Sequence, residues 1–307
     1  MLVRLRKVAV SLVVLLFLTV GLFIQDIQAQ EGYMSSGIEP AGIIRFAIIG
    51  DPHYGWLDVT DFYAHNIVEA WMFDDKFPKI DFAINLGDFV SGDYYDTEEE
   101  IERMWEYAMK DSFSHLFLPW VFAMGNHDVE KDMPNINTEQ RVAIAKRETG
   151  VMERSYAFMY NNILFLVQGW KGEEGLSEDQ KEWFQYVTSL YPDTTTVVIC
   201  HAGPNEWWKQ FFLEKPQIVL YLHGHGHNFR QYAVEGVTVV EYGHTNNSVS
   251  WAGKPWTGYV EITEESISGG VYDVIAQSWI DNLEFHINIQ TGAKSTGLEW
   301  YSWSMFV

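Results

Sequence analysis

The feature that most constrains the fold is a repeated unit in which a short apolar run ends in a polar turn and precedes an amphipathic stretch. Residues 43–49 and 80–86 are apolar runs that end in Gly-Asp, and residues 120–124 run into Gly-Asn-His-Asp. Between them, residues 58–74 carry apolar side chains at helical spacing, and a Thr-x-x-Glu capping box at Thr97 begins a second helix. Buried strands that alternate with helices predict an α/β layered fold.

The second half of the chain continues this pattern and then becomes mostly β. Two apolar runs joined at Asn161-Asn162 predict a hairpin, since asparagine tolerates the left-handed backbone of tight turns. Ser177 begins another helix through a second capping box. Further strands are predicted at residues 195–200, 217–222, 237–242, 258–263 and 283–289. We expect one domain over residues 42–307, with a C-terminal β extension.

Side chains that bind metal ions or transfer protons follow five of the predicted strands. Any one of these blocks has a structural explanation, since Gly-Asp is a common turn and Asn-His-Asp can cap a helix. In open α/β sheets, however, ligands bind at the carboxyl ends of strands, which is where all five blocks fall. Their occurrence together favours a metal site. The blocks are Asp51-x-His53, Gly87-Asp88, Gly125-Asn126-His127-Asp128, His201 and Gly224-His225-x-His227.

The last block indicates how more than one ion could be held. Side chains at positions i and i+2 of an extended segment share a face, so His225 and His227 can reach two neighbouring points. The glycines at 224 and 226 leave those points uncrowded and permit unusual backbone angles. Two imidazoles placed in this way suit two adjacent ions better than one, although the motif alone is also compatible with a hydrogen-bonded turn.

Taken in order over residues 43–263, the five blocks resemble the signature of the calcineurin-like metallophosphoesterase superfamily. The resemblance implies a four-layer α/β/β/α sandwich, with two mixed β-sheets between helices, and a site that holds two divalent metal ions. It implies that Asp88 bridges the ions, that His127 faces the leaving group and that Asp128 holds the ring of His127. The ligands implied for the first metal are Asp51, His53 and His227, and those for the second metal are Asn126, His201 and His225.

The chemistry of these side chains agrees with the resemblance. Imidazole and carboxylate groups suit Mn, Fe or Zn, and no thiolate biases the choice. Two such ions clamp the attacking and leaving oxygens of a phosphoryl displacement, and a water between them loses a proton near neutral pH. We therefore expect attack by a metal-bridging hydroxide. Protonation of the leaving oxygen by His127 would add roughly 10²–10⁴-fold to the rate.

Two departures distinguish this chain from branches of the superfamily. The purple acid phosphatase branch carries a tyrosine three residues after the bridging aspartate and lacks the first-block histidine. This chain has Ser91 and His53 at those positions, which argues against a tyrosinate-bound ferric ion. The 5′-nucleotidase branch carries a large C-terminal substrate domain, and we do not expect one in the residues that follow the last block.

The first residues have the layout of a secretory signal peptide. Basic side chains precede an apolar run, and Ala29 supplies the small residue after which cleavage is expected. The run is slightly short for a bilayer span, so an uncleaved anchor is the weaker alternative. We expect residues 1–29 to be a signal peptide and residues 30–41 a lead-in. The protein would then be secreted or periplasmic, with no stable membrane association after cleavage.

The net charge and the cysteine content give information about partners and disulfide bonds. The formal net charge of −22 disfavours long nucleic acid, because an acidic surface repels polyanions. The chain has one cysteine, Cys200, so no internal disulfide can form, and its apolar neighbours predict a buried core position. The sequence leaves the oligomeric state open.

We therefore expect an exported phosphoesterase that acts on small phosphate esters. Diesters are slightly favoured, since they carry less charge into an acidic surround. The alternatives are a phosphomonoesterase with the same site and a non-catalytic, metal-stabilised binding protein. Arg230 could contact a phosphate or lie on the surface. The aromatic residues near the ligand loops, which could stack on a substrate or pack internally, are Tyr54, Trp56, Trp207 and Trp208.

Overall fold

The computed structural model describes the part of the chain that holds all five blocks. The described residues are 42–55, 58–92, 97–113, 118–130, 137–151, 153–171, 175–243, 255–281, 283–288 and 299–302. The predicted signal peptide and lead-in, residues 1–29 and 30–41, lie outside them. The described residues from Gly42 onward belong to one compact unit. No helix among them is long and apolar enough to cross a membrane.

Helices and strands are interspersed up to residue 223, and only strands follow among the described residues. The first elements are β1 (Ile44–Ile49), α1 (Asp58–Phe73), β2 (Phe82–Asn85), α2 (Glu98–Phe113), β3 (Trp120–Phe122), α3 (Asn126–Val129) and α4 (Thr138–Thr149). The middle elements are β4 (Ser155–Tyr160), β5 (Ile163–Gln168), α5 (Glu178–Leu190), β6 (Thr196–Cys200), α6 (Glu206–Glu214) and β7 (Ile218–His223). The last are β8 (Phe229–Val234), β9 (Val237–Tyr242), β10 (Trp256–Ile262), β11 (Ser266–Asp273), β12 (Ser278–Trp279), β13 (Phe285–Asn288) and β14 (Glu299–Ser302).

The described strands form two mixed sheets, which confirms the predicted fold class. The first sheet has the order β12-β11-β10-β1-β2-β3, and β13 also pairs with β11. Within it, β1, β2 and β3 are parallel, whereas β10 is antiparallel to β1. The second sheet has the order β14-β4-β5-β6-β7-β9-β8, with β5, β6, β7 and β9 parallel. Each sheet therefore presents the carboxyl ends of several parallel strands along one edge, where ligand sites form.

Three apolar cores separate four layers. Phe82 from the first sheet packs against Phe165 from the second, with ring centroids 5.7 Å apart, so the two sheets face each other. Trp105 of α2 is buried against the outer face of the first sheet. Trp183 of α5 and Trp208 of α6 are buried against the outer face of the second sheet. This is the expected α/β/β/α sandwich, and burial of large apolar side chains in its cores stabilises it.

The structure confirms the predicted features that depend only on residues close in sequence. Thr97 and Glu100 exchange the two hydrogen bonds of a capping box, each 3.2 Å long. Asn161 and Asn162 have φ angles of 45° and 66°, as the predicted hairpin turn requires. Helix α6, in contrast, was not predicted, although its aromatic residues were expected either to stack on a substrate or to pack internally. Strand β8 was also missed, since it lies at the sheet edge and shows little apolar alternation.

Candidate metal centre

Side chains from all five blocks converge at the carboxyl ends of the parallel strands. They form two groups of metal-binding side chains, and Asp88 belongs to both groups. Within each group, one possible ligand atom from every residue lies within 4.8 Å of the others. The amide oxygen of Asn126 joins the second group, since it lies 2.9 Å from His201 Nε2. The first group is Asp51, His53, Asp88 and His227, and the second is Asp88, His201 and His225.

A single oxygen of Asp88 lies between the two groups. Its Oδ2 atom is 3.2 Å from Nε2 of His201 and 3.7 Å from Nε2 of His53. The other oxygen, Oδ1, accepts a hydrogen bond of 2.8 Å from the backbone N–H of His127, which fixes the orientation of the carboxylate. This placement is the one expected of a carboxylate that bridges two sites.

The loops that follow the strands adopt a backbone that most residues avoid. The positive φ angles aim several side chains back across the sheet edge, and Gly87, with φ of 101°, makes the sharpest such turn. A Cβ atom at position 87 would overlap the ring of His201 and the backbone of Gly125. The other residues of the two groups with positive φ are Asp51 (49°), His53 (47°), Asp88 (50°), His225 (68°) and His227 (53°).

Further hydrogen bonds fix the orientation of the imidazoles. His201 Nδ1 donates to the carbonyl oxygen of Leu86 at 2.8 Å, which leaves Nε2 facing the second group. His53 Nδ1 lies 3.2 Å from the hydroxyl of Ser91, so the serine that replaces the tyrosine of purple acid phosphatases supports this histidine. The Asp51 carboxylate accepts the backbone N–H of His225 at 3.0–3.1 Å. Such outer contacts hold metal ligands in a fixed geometry and tautomer.

Burial and charge set the pKa values of these groups. Burial lowers the pKa of His53 to about 4, although the Asp88 and Asp51 carboxylates oppose that effect. Burial also disfavours charge on His201, but the adjacent Asp88 carboxylate outweighs it and raises the pKa of His201 to about 9. For Asp88, burial favours the neutral form, yet the surrounding imidazoles hold its pKa well below the usual range. Asp88 is therefore an anion with imidazoles on several sides.

The donor set fits a divalent cation of the Mn, Fe or Zn type. Nε2 of His53 lies 3.3 Å from Nε2 of His227, and Nε2 of His201 lies 3.1 Å from Nδ1 of His225. Two pairs of ring nitrogens therefore converge next to carboxylate oxygens, which is the donor chemistry these ions prefer. The geometry therefore shows residues grouped for metal binding.

His127 and Asp128 lie beside these groups. The ring of His127 is 4.6 Å from the ring of His53, partly exposed, with Nε2 4.0 Å from Asp88 Oδ2. Asp128 is buried, and its two oxygens accept backbone N–H groups of Val90 at 3.0 Å and Gly125 at 2.8 Å. Burial and the charge of Asp88 raise the pKa of Asp128 to about 7. Asp128 thus ties the Asp88 loop to the next loop, and its role in holding the His127 ring stays a prediction.

Sequence reasoning missed two residues next to the groups. Trp170 follows β5, with its ring centroid 5.2 Å from that of His225, and its indole N–H donates to Glu130. Its position at the end of a strand parallel to β6 was the available signal. The second residue, Glu241, is a fully buried carboxylate that pairs with Arg230 beneath the His225-x-His227 loop. An acidic residue inside the apolar run of β9 was the signal for it.

The remaining candidates have structural roles where the structure describes them. Tyr54 and Trp208 are buried, and Trp207 stacks on Phe211 with centroids 4.6 Å apart. Trp56 lies outside the described residues. Cys200 is buried as predicted, and burial raises the pKa of its thiol to about 12, which makes it a poor nucleophile.

Comparison with known proteins agrees with this geometry. The family model for calcineurin-like phosphoesterases matches residues 44–248. A purple acid phosphatase, PPD1 from yellow lupin, has a similar fold, with a TM-score of 0.59 and 13% identity over 81% of this chain and 54% of that chain. This chain thus spans about half the length of the lupin protein. The search of curated proteins finds no match.

The match to a second solved structure extends over more of that protein's length. It is GAP50, described as the anchor in the inner membrane complex of Plasmodium, with a TM-score of 0.53 and 10% identity over 83% of this chain and 91% of that chain. At these identities the two likenesses show the fold alone. The family match covers most of the chain and includes all five blocks, from Asp51 to His227. The chain therefore belongs to the calcineurin-like phosphoesterase family of metal-dependent phosphoester hydrolases.

Proposed function

We propose that this protein is an exported phosphoesterase that hydrolyses small phosphate esters with two divalent ions, and that it prefers diesters. The observation that carries the proposal is the position of Asp88 Oδ2, which lies within 3.7 Å of imidazole nitrogens from both groups. A carboxylate shared in this way lets two cations approach without prohibitive repulsion. A single structural ion would not require metal-binding side chains on both sides of the Asp88 Oδ2 atom.

The side chains of the two groups would hold the two ions that the reaction requires. When bound, the ions would activate a water for attack and would neutralise charge on the phosphoryl oxygens. Asp51, His53 and His227 would hold one ion, and the Asn126 oxygen, His201 and His225 the other. Asp88 would bridge them, and the hydrogen bond from the His127 backbone N–H to its Oδ1 atom fixes the orientation of its carboxylate.

His127 is the residue we assign to the leaving group. Its ring is partly exposed and next to His53, so a substrate oxygen can reach it from solvent. A proton donated from its imidazole to the departing oxygen would avoid release of an alkoxide. We expect His127→Gln to slow esters with poor leaving groups more than p-nitrophenyl esters. Equal losses for both kinds of ester would remove the acid role.

Charge around the site supports the preference for diesters. Glu130 receives the indole N–H of Trp170, and this places a carboxylate beside the ring that packs on His225. A phosphate monoester carries one more negative charge than a diester and would be repelled more strongly there. With Mn²⁺-loaded protein, we expect bis(p-nitrophenyl) phosphate to be hydrolysed with the higher kcat/KM. A much faster reaction of p-nitrophenyl phosphate would assign a monoesterase instead.

Export is a separate part of the proposal and rests on the sequence alone. Production of the full chain in a bacterial host with a periplasm should give a periplasmic product that begins at Gln30, as measured by mass spectrometry. A product that retains residues 1–29 and remains with the membrane fraction would support an uncleaved anchor.

A non-catalytic binding protein is the second candidate, and the likeness to GAP50 favours it. The fold of this protein is similar to that of GAP50 over 91% of the GAP50 chain, and GAP50 is described as an anchor. A scaffold of this kind could retain metal without turnover. Asp88→Asn separates the two, because it should abolish hydrolysis in a folded phosphoesterase. Absence of hydrolysis by the metal-loaded wild-type protein against a panel of mono- and diesters would favour the scaffold.

A further inference from the structure

The loop that carries His225 and His227 is held in an unfavourable backbone conformation. It connects β7 to β8, and both histidines have positive φ angles, 68° and 53°. Residues with a side chain avoid this region, and they remain in it only where the surroundings enforce it. Something outside the loop must therefore fix its shape.

Glu241 lies directly beneath this loop. It is on β9, where its register partners are His223, the last residue of β7, and Arg230, near the start of β8. Glu241 is thus next to both β7, which precedes the loop, and β8, which follows it. Its side chain is 0% exposed, in contrast to that of Arg230, which is 62% exposed. A buried carboxylate is costly unless hydrogen bonds compensate it.

The contacts of Glu241 are with the loop and its flank. The Oε2 atom of the carboxylate accepts the Nε–H of Arg230, whereas the buried Oε1 atom accepts no hydrogen bond from the described residues. It also fills the space beside Gly226, because a Cβ atom at that position would overlap its carboxylate. Glu241 therefore lies against the residue between the two histidines and holds Arg230, which follows them on β8.

The two histidines point to different groups. His227 faces His53 and Asp51, with Nε2 3.5 Å from Asp51 Oδ1. His225 faces His201 across 3.1 Å. A shift of the loop would therefore disturb both groups at once, whereas loss of a single ligand would disturb mainly one.

We propose that Glu241 is a positioning residue for the whole metal centre: its buried carboxylate, paired with Arg230 and packed against Gly226, sets the loop that delivers one imidazole to each ion. The inference rests on the proposed function, since it requires that both groups bind metal. Arg230 then acts on the metal centre through Glu241.

The test is Mn²⁺ binding, measured by equilibrium dialysis, together with the electron paramagnetic resonance spectrum of the bound ions. We expect Glu241→Ala to weaken binding of both ions by about 100-fold and Glu241→Gln by about tenfold, the range usual for outer contacts of metal ligands. Glutamine should retain part of the effect, because its amide offers one acceptor oxygen where the carboxylate offers two. The spectrum of two coupled ions should be lost from Glu241→Ala at Mn²⁺ concentrations that saturate the wild type.

Glu261 provides a matched control. It pairs with Arg45 across two antiparallel strands, at 2.8 Å between Nε and Oε2, as Glu241 does with Arg230. Arg45 lies at the start of β1, whereas Asp51 follows the end of that strand. Glu261→Ala and Glu261→Gln should bind Mn²⁺ as the wild type does.

The outcomes separate the inference from the proposed function. A wild-type protein that binds no Mn²⁺ refutes both. If the wild type binds two ions and either folded Glu241 variant binds them within twofold of the wild-type affinity, the inference alone fails. Glu241→Gln keeps the test decisive if Glu241→Ala does not fold, because the isosteric amide removes charge without leaving a cavity.

Discussion

Replacement of Gly87 by alanine tests whether the loop that carries Asp88 can accommodate a Cβ atom next to His201. Two separate costs are expected. The φ of 101° is unfavourable for a residue with a Cβ atom, which costs about 1–2 kcal/mol. The new methyl group would also overlap the His201 ring and the backbone of Gly125, and overpacking of this kind costs about 1–3 kcal/mol more. Together, Gly87→Ala should lower the free energy of unfolding by about 2–5 kcal/mol.

Gly236 is the matched control for the first of these costs. Its φ is 85°, and nothing lies within 4 Å of a Cβ atom built there. Gly236→Ala should therefore show the backbone cost alone, about 1–2 kcal/mol, and should leave metal affinity unchanged. The assay is urea denaturation of the metal-free variants, followed by Mn²⁺ titration. Equal stability losses in the two variants, with unchanged Mn²⁺ binding by Gly87→Ala, would refute the claim that Gly87 is needed for the approach of His201.

Three further predictions concern charge, metal and the thiol. In metal-free protein, the stability that His201 gains from Asp88 should be complete below pH 6.5 and lost as the pH rises through about 9, and Asp88→Asn should remove this dependence in urea denaturation measured across that range. Removal of metal by a chelator should lower stability by about 2.7 kcal/mol for each ion lost, relative to protein at a metal concentration 100 times Kd, and an unchanged melting temperature would count against a bound ion. Cys200 should resist alkylation at pH 8 until urea unfolds the chain, and rapid labelling of native protein would contradict its burial.

The sequence predicted the elements of the site whose signals are local. Asp51, Asp88 and His201 each follow an apolar run, and the rule that ligands bind at the carboxyl ends of strands was enough to place them together. The capping box at Thr97 and the hairpin at Asn161 also depend only on neighbours in sequence.

The parts that could not be predicted depend on pairing between distant strands. Glu241 lies under the histidine loop because β9 runs between β7 and β8, an order that no local pattern in the sequence encodes. The same holds for Trp170, whose contact with His225 requires β5 and β7 to flank β6. The hydrogen bond from the backbone N–H of Val90 to Asp128 likewise joins residues that are distant in sequence, so no local pattern predicts it.

The most direct test of a dinuclear centre at Asp88 is a crystal structure of the Mn²⁺-loaded protein with anomalous diffraction at the manganese edge. We expect two anomalous peaks about 3.5–4 Å apart, both within bonding distance of Asp88 Oδ2. One peak should be next to His53 and His227, and the other next to His201 and His225. A single ion that does not contact Asp88, or no ion among these residues, would contradict this expectation.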